Sequence, residues 1–290
     1  MEQPATQPSR RFHPGRLAAF TLLGIYLLWV VAPMVWVAAS SLKSEDDIAR
    51  EPLAVWGREG LHPENFARAW SQARLGTYFL QSVLVTGVSV AGILVLGSMA
   101  GYALSRFFHP LGRITYWLFL AGLMIPAQLS IVPLFFELRA LGLLNSLTGL
   151  ILVYVANGLP FAVFILAGFF RGLPRALYEA AIMDGCSEAA AFWRVILPLA
   201  RPGLVTVAIF QFIGVWKEYF YAFMFLSGGG AEGARTLPLA LANLSVTSQY
   251  RTDYGMLFAG LMIVAAPLLV AYVCLQKHLI RSITAGALKG

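Results

Sequence analysis

The sequence predicts an all-α integral membrane protein with six transmembrane helices and a polar helix pair between spans four and five. Three observations carry this expectation. The 290-residue chain is 59% hydrophobic and only 12% charged, too apolar for a molecule whose skin faces water. Six segments hold the roughly 20 apolar residues that a hydrocarbon core about 30 Å thick requires. Runs such as ILVLGSMAGYAL (93–104) are apolar all round, without the alternation of a membrane-barrel strand.

The six runs span 17–40, 79–104, 114–137, 147–170, 203–226 and 255–277. The first follows Arg10 and Arg11, exceeds the usual signal-peptide core of about 7–15 residues, and lacks a clear A-x-A cleavage site. It is therefore expected to remain as a helix. Pro33, Pro126, Pro160 and Pro267 fall inside runs. Neighbouring membrane helices can satisfy the carbonyls that proline frees. Within the fourth run, Asn157-Gly158-Leu159-Pro160 is a candidate helix break.

Net charge is +7. The basic residues stand in short clusters between apolar runs, so the positive-inside rule explains them better than nucleic acid does. One side collects Arg16, Arg106, Arg113, Arg171, Arg175, Arg194 and Arg201 in short segments. On the other side most lie in the long segment 41–78, diluted by Glu45, Asp46, Asp47, Glu51, Glu59 and Glu64. Charges close to the spans set orientation, so both termini are expected in the cytoplasm. No internal repeat or low-complexity linker divides the chain. A short N-terminal segment (1–16) and one membrane domain (17–290) are expected.

Catalytic and metal chemistry find little support. Cys186 and Cys274 lie far apart, without histidine partners at metal-ligand spacing. The four histidines lie outside the apolar centres and form no cluster. There is no G-x-x-x-x-G-K-[ST] phosphate loop, so a nucleotide-driven process would need another chain to bind the nucleotide.

The stretch YEAAIMDGCSEAAAFWRVILPLARP (178–202) is the polar interruption. Pro174 suits a helix start, where its missing N–H costs nothing. Good helix formers follow, and Gly185 can take the positive φ that ends a helix. Ser187 can cap a second helix, which Pro198 and Pro202 stop or bend. Leu177, Ala180 and Ala181 are expected to share a flat face with Glu179 and Asp184 beside it. That is a docking shape without a base–nucleophile set.

Glu179-Ala180-Ala181, Gly185 and Leu197-Pro198 resemble the EAA loop of membrane subunits of bacterial ATP-binding-cassette importers, in which EAA, three residues, Gly, nine residues, Ile, one residue and Leu-Pro follow one another. Val195 stands at the Ile position. Asp184, Phe192 and Pro202 also resemble the family. SLKS (41–44), LPFAVFILAGFFRGLP (159–174), GVWKEYF (214–220) and TAGALKG (284–290) resemble its carbohydrate branch, the second permease of the maltose-transporter type. In GVWKEYF, Lys217 replaces the branch's usual Asn.

The resemblance implies a permease in the cell inner membrane, paired with a second permease. Two cytosolic ATP-binding subunits would hold ATP and Mg, so this chain would carry no cofactor and would not itself be an enzyme. An extracytoplasmic solute-binding protein would deliver a carbohydrate. The EAA loop (about 171–202) would be the coupling helix pair, engaging the ATPase through Glu179, Ala180, Ala181, Asp184, Gly185, Phe192, Leu197 and Pro198. An importer for another solute such as glycerol phosphate is the near alternative. An ion-coupled secondary transporter is the distant one, and it should show intramembrane carboxylates and paired repeats.

Candidate pathway residues follow from the cost of polar groups in lipid. Trp216, Lys217 and Glu218 lie in the fifth run, Lys217 about 21 Å along a helix from Gly203. Lys217 and Glu218 are adjacent, so they do not share a helix face. Asn157 and Gln128 complete the set, with interhelical hydrogen bonding as their ordinary role. The segments 41–78 and SGGGAEG (227–233) are expected to face the binding protein or water.

Overall fold

The structure is a computed structural model, and it describes residues 14–106, 110–228, 233–247 and 253–287. The described residues are helical, with no strand among them. The fold is the all-α membrane architecture that composition and run length imply. Four helices are long and apolar enough to cross a membrane: α1 (Pro14–Ser40), α4 (Leu75–Arg106), α7 (Leu147–Arg171) and α14 (Tyr254–Ala287). Two bent pairs pass the same test of length and composition, for up to six spans.

The first pair corrects the third run. A continuous helix was expected over 114–137. Instead α5 (Pro110–Met124) stops before Pro126, and a 3₁₀ turn (Ala127–Ser130) leads into α6 (Ile131–Ala140). The two arms bend by 98°. Pro126 has no N–H to continue the ladder and disfavours the α conformation at the residue before it. The fifth run is broken as well. α11 (Arg201–Trp216) ends at Lys217, and α12 (Phe220–Leu226) restarts after it. In the second bent pair, Glu188–Leu199 leaves the α11 axis at 74°. The expected break at Asn157–Pro160 is absent, because α7 continues through Pro160.

The core is organised around α4 and α7, which run side by side in the same direction. A Cβ on Gly97 would lie 2.7 Å from Ala162 Cβ, and one on Gly101 would lie 3.2 Å from Ala167 N and Leu166 Cβ. This small-residue spacing, Gly97-x-x-x-Gly101, lets the helices approach until backbones touch. Ser89 and Ser98 on the same helix are fully buried. Around this seam three apolar clusters form, one at each end and one against α14.

The segment 41–74 is no simple loop. α2 (Glu45–Arg50) and α3 (Glu64–Ser71) fold onto the start of α14. Asn65 Nδ2 donates to the carbonyls of Ser41 and Lys43 at 3.0 and 2.9 Å, and Arg68 pairs with Asp253 at 2.6 Å. At the opposite end of the spans, α8 (Arg175–Met183) and α9 (Glu188–Ala191) form the polar pair, followed by a π turn (Phe192–Ile196) and α10 (Leu197–Leu199). α13 (Leu237–Thr247) packs back on α4 through Leu237 N–H, which donates to Ser82 Oγ at 2.7 Å. Arg10 and Arg11, most of SGGGAEG and the last three residues of TAGALKG fall outside the described residues.

Candidate functional site

The helix–Gly–helix grammar of 174–198 is realised in the backbone. α8 ends at Gly185, whose φ is +84°. Gly185 N–H donates to Ile182 O and Cys186 N–H to Ala181 O, both at 3.0 Å. That paired closure satisfies the last carbonyls of α8. Ser187 Oγ then accepts from Ala190 N–H at 3.3 Å, capping α9. Both short helices are therefore finished by their own neighbours.

Exposure divides the expected site residues into two groups. Glu179, Ala180, Asp184 and Gly185 face outward, and Met183 is 86% exposed. Ala181 and Phe192 are buried, with Leu197 and Pro198 partly so. The single face expected for Leu177, Ala180 and Ala181 is thus split. Ala181 falls on the same side as Tyr178, three residues back, and this stripe turns to the chain's own interior. Glu179 pairs with Arg175 at 3.5 Å, one turn away on the exposed surface.

A grip that sequence reasoning missed fastens this pair to the spans. Near the end of α4, the Tyr102 ring lies 4.9 Å from Phe192 and 5.6 Å from Phe170. One turn on, the Arg106 guanidinium covers the Tyr178 ring at 4.6 Å, and its Nη2 donates to Arg175 O at 3.4 Å. Phe192 opens the π turn, an insertion that re-aims side chains and that recurs at functional sites. The available signal was the Tyr102-x-x-x-Arg106 pair at the end of an apolar run.

The candidate pathway residues come together only in part. Glu218 sits at the break between α11 and α12. Its carboxylate accepts from Tyr154 Oη at 2.6 Å and from the N–H groups of Tyr221 and Ala222 at 2.8 and 3.2 Å. The charge thus caps the N-terminus of α12, where helix dipole and free N–H groups favour an anion. Lys217 is exposed beside it. Asn157 Oδ1 accepts from Tyr221 Oη at 3.3 Å, and Tyr221 Oη also meets Ser130 Oγ at 3.2 Å.

This polar cluster therefore joins both helix breaks, because Ser130 belongs to the 3₁₀ turn after Pro126. Irregular backbone at membrane depth is tolerated where protein or a water-filled cavity satisfies it. Gln128 lies on the same 3₁₀ turn and is exposed. Trp216 does not belong to the cluster. It is 2% exposed, donates Nε1–H to Val264 O at 3.1 Å and packs against Phe79 and Phe212. Trp216 thus packs in the core between α11, α4 and α14. Ser130, Tyr154 and Tyr221 were missed; their hydroxyls inside apolar runs were the legible sign. Among the described residues, no group of three His, Cys, Asp or Glu is placed to hold a metal.

Comparison with known proteins agrees with this architecture. Residues 93–285 match the family described as binding-protein-dependent transport system inner membrane component. The chain is 38% identical to the diacetylchitobiose uptake system permease protein NgcG of Streptomyces coelicolor, covering 100% of this chain and 93% of that one. It is 31% identical to the sulfoquinovosyl glycerol transport system permease protein SmoH of Agrobacterium fabrum, over 100% of both. The crystal structure of a bacterial ABC transporter involved in import of the acidic polysaccharide alginate has the same fold, with a TM-score of 0.80 at 21% identity over 95% of this chain and 99% of that one. The chain belongs to the family of inner membrane components of binding-protein-dependent transport systems, which are transport subunits rather than enzymes.

Proposed function

We propose that the chain is one of two permease subunits of an ATP-driven importer for a carbohydrate or glycoside. The observation that carries this reading is the α8–α9 pair. Two locally capped helices are hinged at Gly185, and Glu179, Ala180, Met183 and Asp184 point away from the spans. Such a surface suits docking into a groove of an ATPase subunit. Ala181, Phe192, Leu197 and Pro198 act from behind, keeping the pair seated on the membrane helices.

Two ATP-binding subunits then sit beneath this end, holding ATP and Mg. Their closure pushes on α8, and the grip of Arg106 and Phe192 passes the displacement to α4 and α7. This is a two-state element biased by ligands at distant sites. Both termini and the α8–α9 pair lie in the cytoplasm. The opposite end faces an extracytoplasmic solute-binding protein. Residues 17–290 form the transmembrane domain, with 1–16 as a cytoplasmic lead.

The relatives with diacetylchitobiose and sulfoquinovosyl glycerol systems support a sugar-containing solute rather than free glycerol phosphate. Glu218, Asn157, Lys217 and Gln128 at the two helix breaks are the pathway candidates, since broken helices are where transporters form polar sites. In the assembled transporter, Glu179→Lys and Gly185→Pro should leave the chain inserted yet abolish binding-protein-dependent uptake and weaken ATPase co-purification. Unchanged uptake and unchanged co-purification in both variants would sink the coupling assignment. A thermal-shift screen of the cognate binding protein against sugars and glycerol phosphate tests the solute class.

A further inference from the structure

We propose that the stretch 52–56, between α2 and α3, is a lipid-surface anchor in the leaflet at the Ser40 end of α1. The inference rests on α1 crossing the membrane and not on which solute is moved.

Depth is the first argument. Trp36 Nε1–H donates to Pro52 O at 2.6 Å. Trp36 precedes Ser40, the last residue of α1, by about 6 Å of helix rise. The chain has therefore turned back alongside the final turn of α1, below the helix end. It climbs again shortly afterwards, since His62 N–H donates to Leu42 O at 2.9 Å, past the helix end.

Polarity is the second argument. Two charges of the segment turn inward, while Glu45, Asp46, Arg50, Arg58 and Glu59 stay exposed around an uncharged stretch, Pro52 to Trp56. Lys43 is 2% exposed and gives its ammonium protons to the carbonyls of Glu51 and Ala54. Asp47 is buried, accepting from Glu59 N–H at 3.2 Å. By contrast Leu53 is 83% and Trp56 75% exposed, with Val55 also outward. A loop in water gains by hiding such a contiguous apolar run. A boundary with acyl chains reverses the preference.

Continuity is the third argument. The exposed apolar surface of α1 runs through Met34 and Val35 to Trp36. Trp36 meets Phe258 of α14 edge-on at 5.3 Å, and exposed Tyr254 lies one turn before Phe258. Trp and Tyr collect at the headgroup level, where an apolar ring and a polar tip are both satisfied. Trp56 extends that belt. Exposed Arg50 and Arg58 flank the stretch, Arg58 paired with Glu51. The occupant is thus lipid at the headgroup–acyl boundary. Leu61, 62% exposed beside the His62 contact, belongs to the surface above it.

The test uses the complete transporter in proteoliposomes, with Cys186→Ser and Cys274→Ser as background. Single nitroxide labels go on Leu53→Cys, Trp56→Cys, Leu61→Cys and, as a mid-span control, Ile25→Cys. Electron-spin power saturation compares collision with oxygen, which partitions into lipid, and with a water-soluble nickel chelate. Positions 53 and 56 should favour oxygen as position 25 does, and position 61 should favour nickel. Nickel-dominated collision at 53 and 56 overturns the anchor. Nickel access there that disappears when the solute-binding protein is added overturns it too, by assigning the patch to that protein. A nickel-dominated position 25 overturns instead the premise that α1 spans the bilayer.

Discussion

The segments 41–74 and 171–202 are the two polar interruptions of this apolar chain; both show charges at the surface, and only 41–74 also buries some. In 171–202 the charges of Arg175, Glu179, Asp184 and Glu188 point outward. Each short helix there is closed by its own neighbours at Gly185 and Ser187. In 41–74 the charges of Lys43 and Asp47 point inward and tie together backbone far apart in sequence. The first arrangement leaves a surface for a partner and keeps the element intact while it is pushed. The second fixes a shape and leaves apolar side chains outside. Buried charges with backbone partners therefore mark the fixed segment, whereas exposed charges occur in both.

The strongest challenge to this contrast is Lys43→Met. It removes the ammonium donor to Ala54 O and to Glu51 O, of which Glu51 O keeps the Ala54 N–H, at a cost of roughly 1–3 kcal/mol for the carbonyl left unpaired. Segment 41–74 should open locally while the α8–α9 pair stays formed. Trypsin cutting at exposed Arg50 and Arg58 in the purified transporter should speed up several-fold. An unchanged cutting rate would show that the buried ammonium does not hold the segment.

A smaller effect is expected from Ser187→Ala, which deletes one cap of an exposed helix and costs about 1 kcal/mol. Amide exchange over 188–196 should accelerate, with 41–74 unaffected. Equal acceleration in both segments would mean that they are not independent units.

The smallest effect is a pH dependence confined to 41–74. Glu59 N–H, donating to the Asp47 carboxylate, is the main cause that holds this group below its ordinary value of 3.8. A depressed folded-state value means the contribution is complete above the unfolded value and disappears as pH falls through the folded one. Acidification below about pH 4 should loosen residues 51–60, and Asp47→Asn should remove that dependence. Exchange in the wild-type segment that ignores pH over this range would count against the contact.

Much of this was legible in the sequence, for physical reasons. Lipid tolerates only long apolar helices, so run length located the four continuous spans but not the breaks in the third and fifth runs. Local rules located the Gly185 closure and the Ser187 cap, because those residues act on backbone within a few positions. What stayed hidden depends on partners distant in sequence. Pro126 breaks its span whereas Pro160 does not, and nothing within either run distinguishes them. Glu218 read as a charge lining a path; its tie to Tyr154, 64 residues away, needed the fold. Ala181 read as docking face, but the spans behind it decide which side of α8 is buried. Gly97-x-x-x-Gly101 was present in plain text, and only the Ala162 contact gave it a partner.

The central claim is that the outward face of α8 meets the ATPase. Met183, 86% exposed, is the position to test it. With Cys186→Ser and Cys274→Ser as background, Met183→Cys in the assembled transporter would be treated with a short bifunctional thiol reagent. The account predicts a crosslink to the ATP-binding subunit whose yield changes between nucleotide-free and ATP-bound states. It predicts no such product from Leu53→Cys at the opposite end. Failure of Met183→Cys to crosslink in either state, while transport activity is retained, would contradict it.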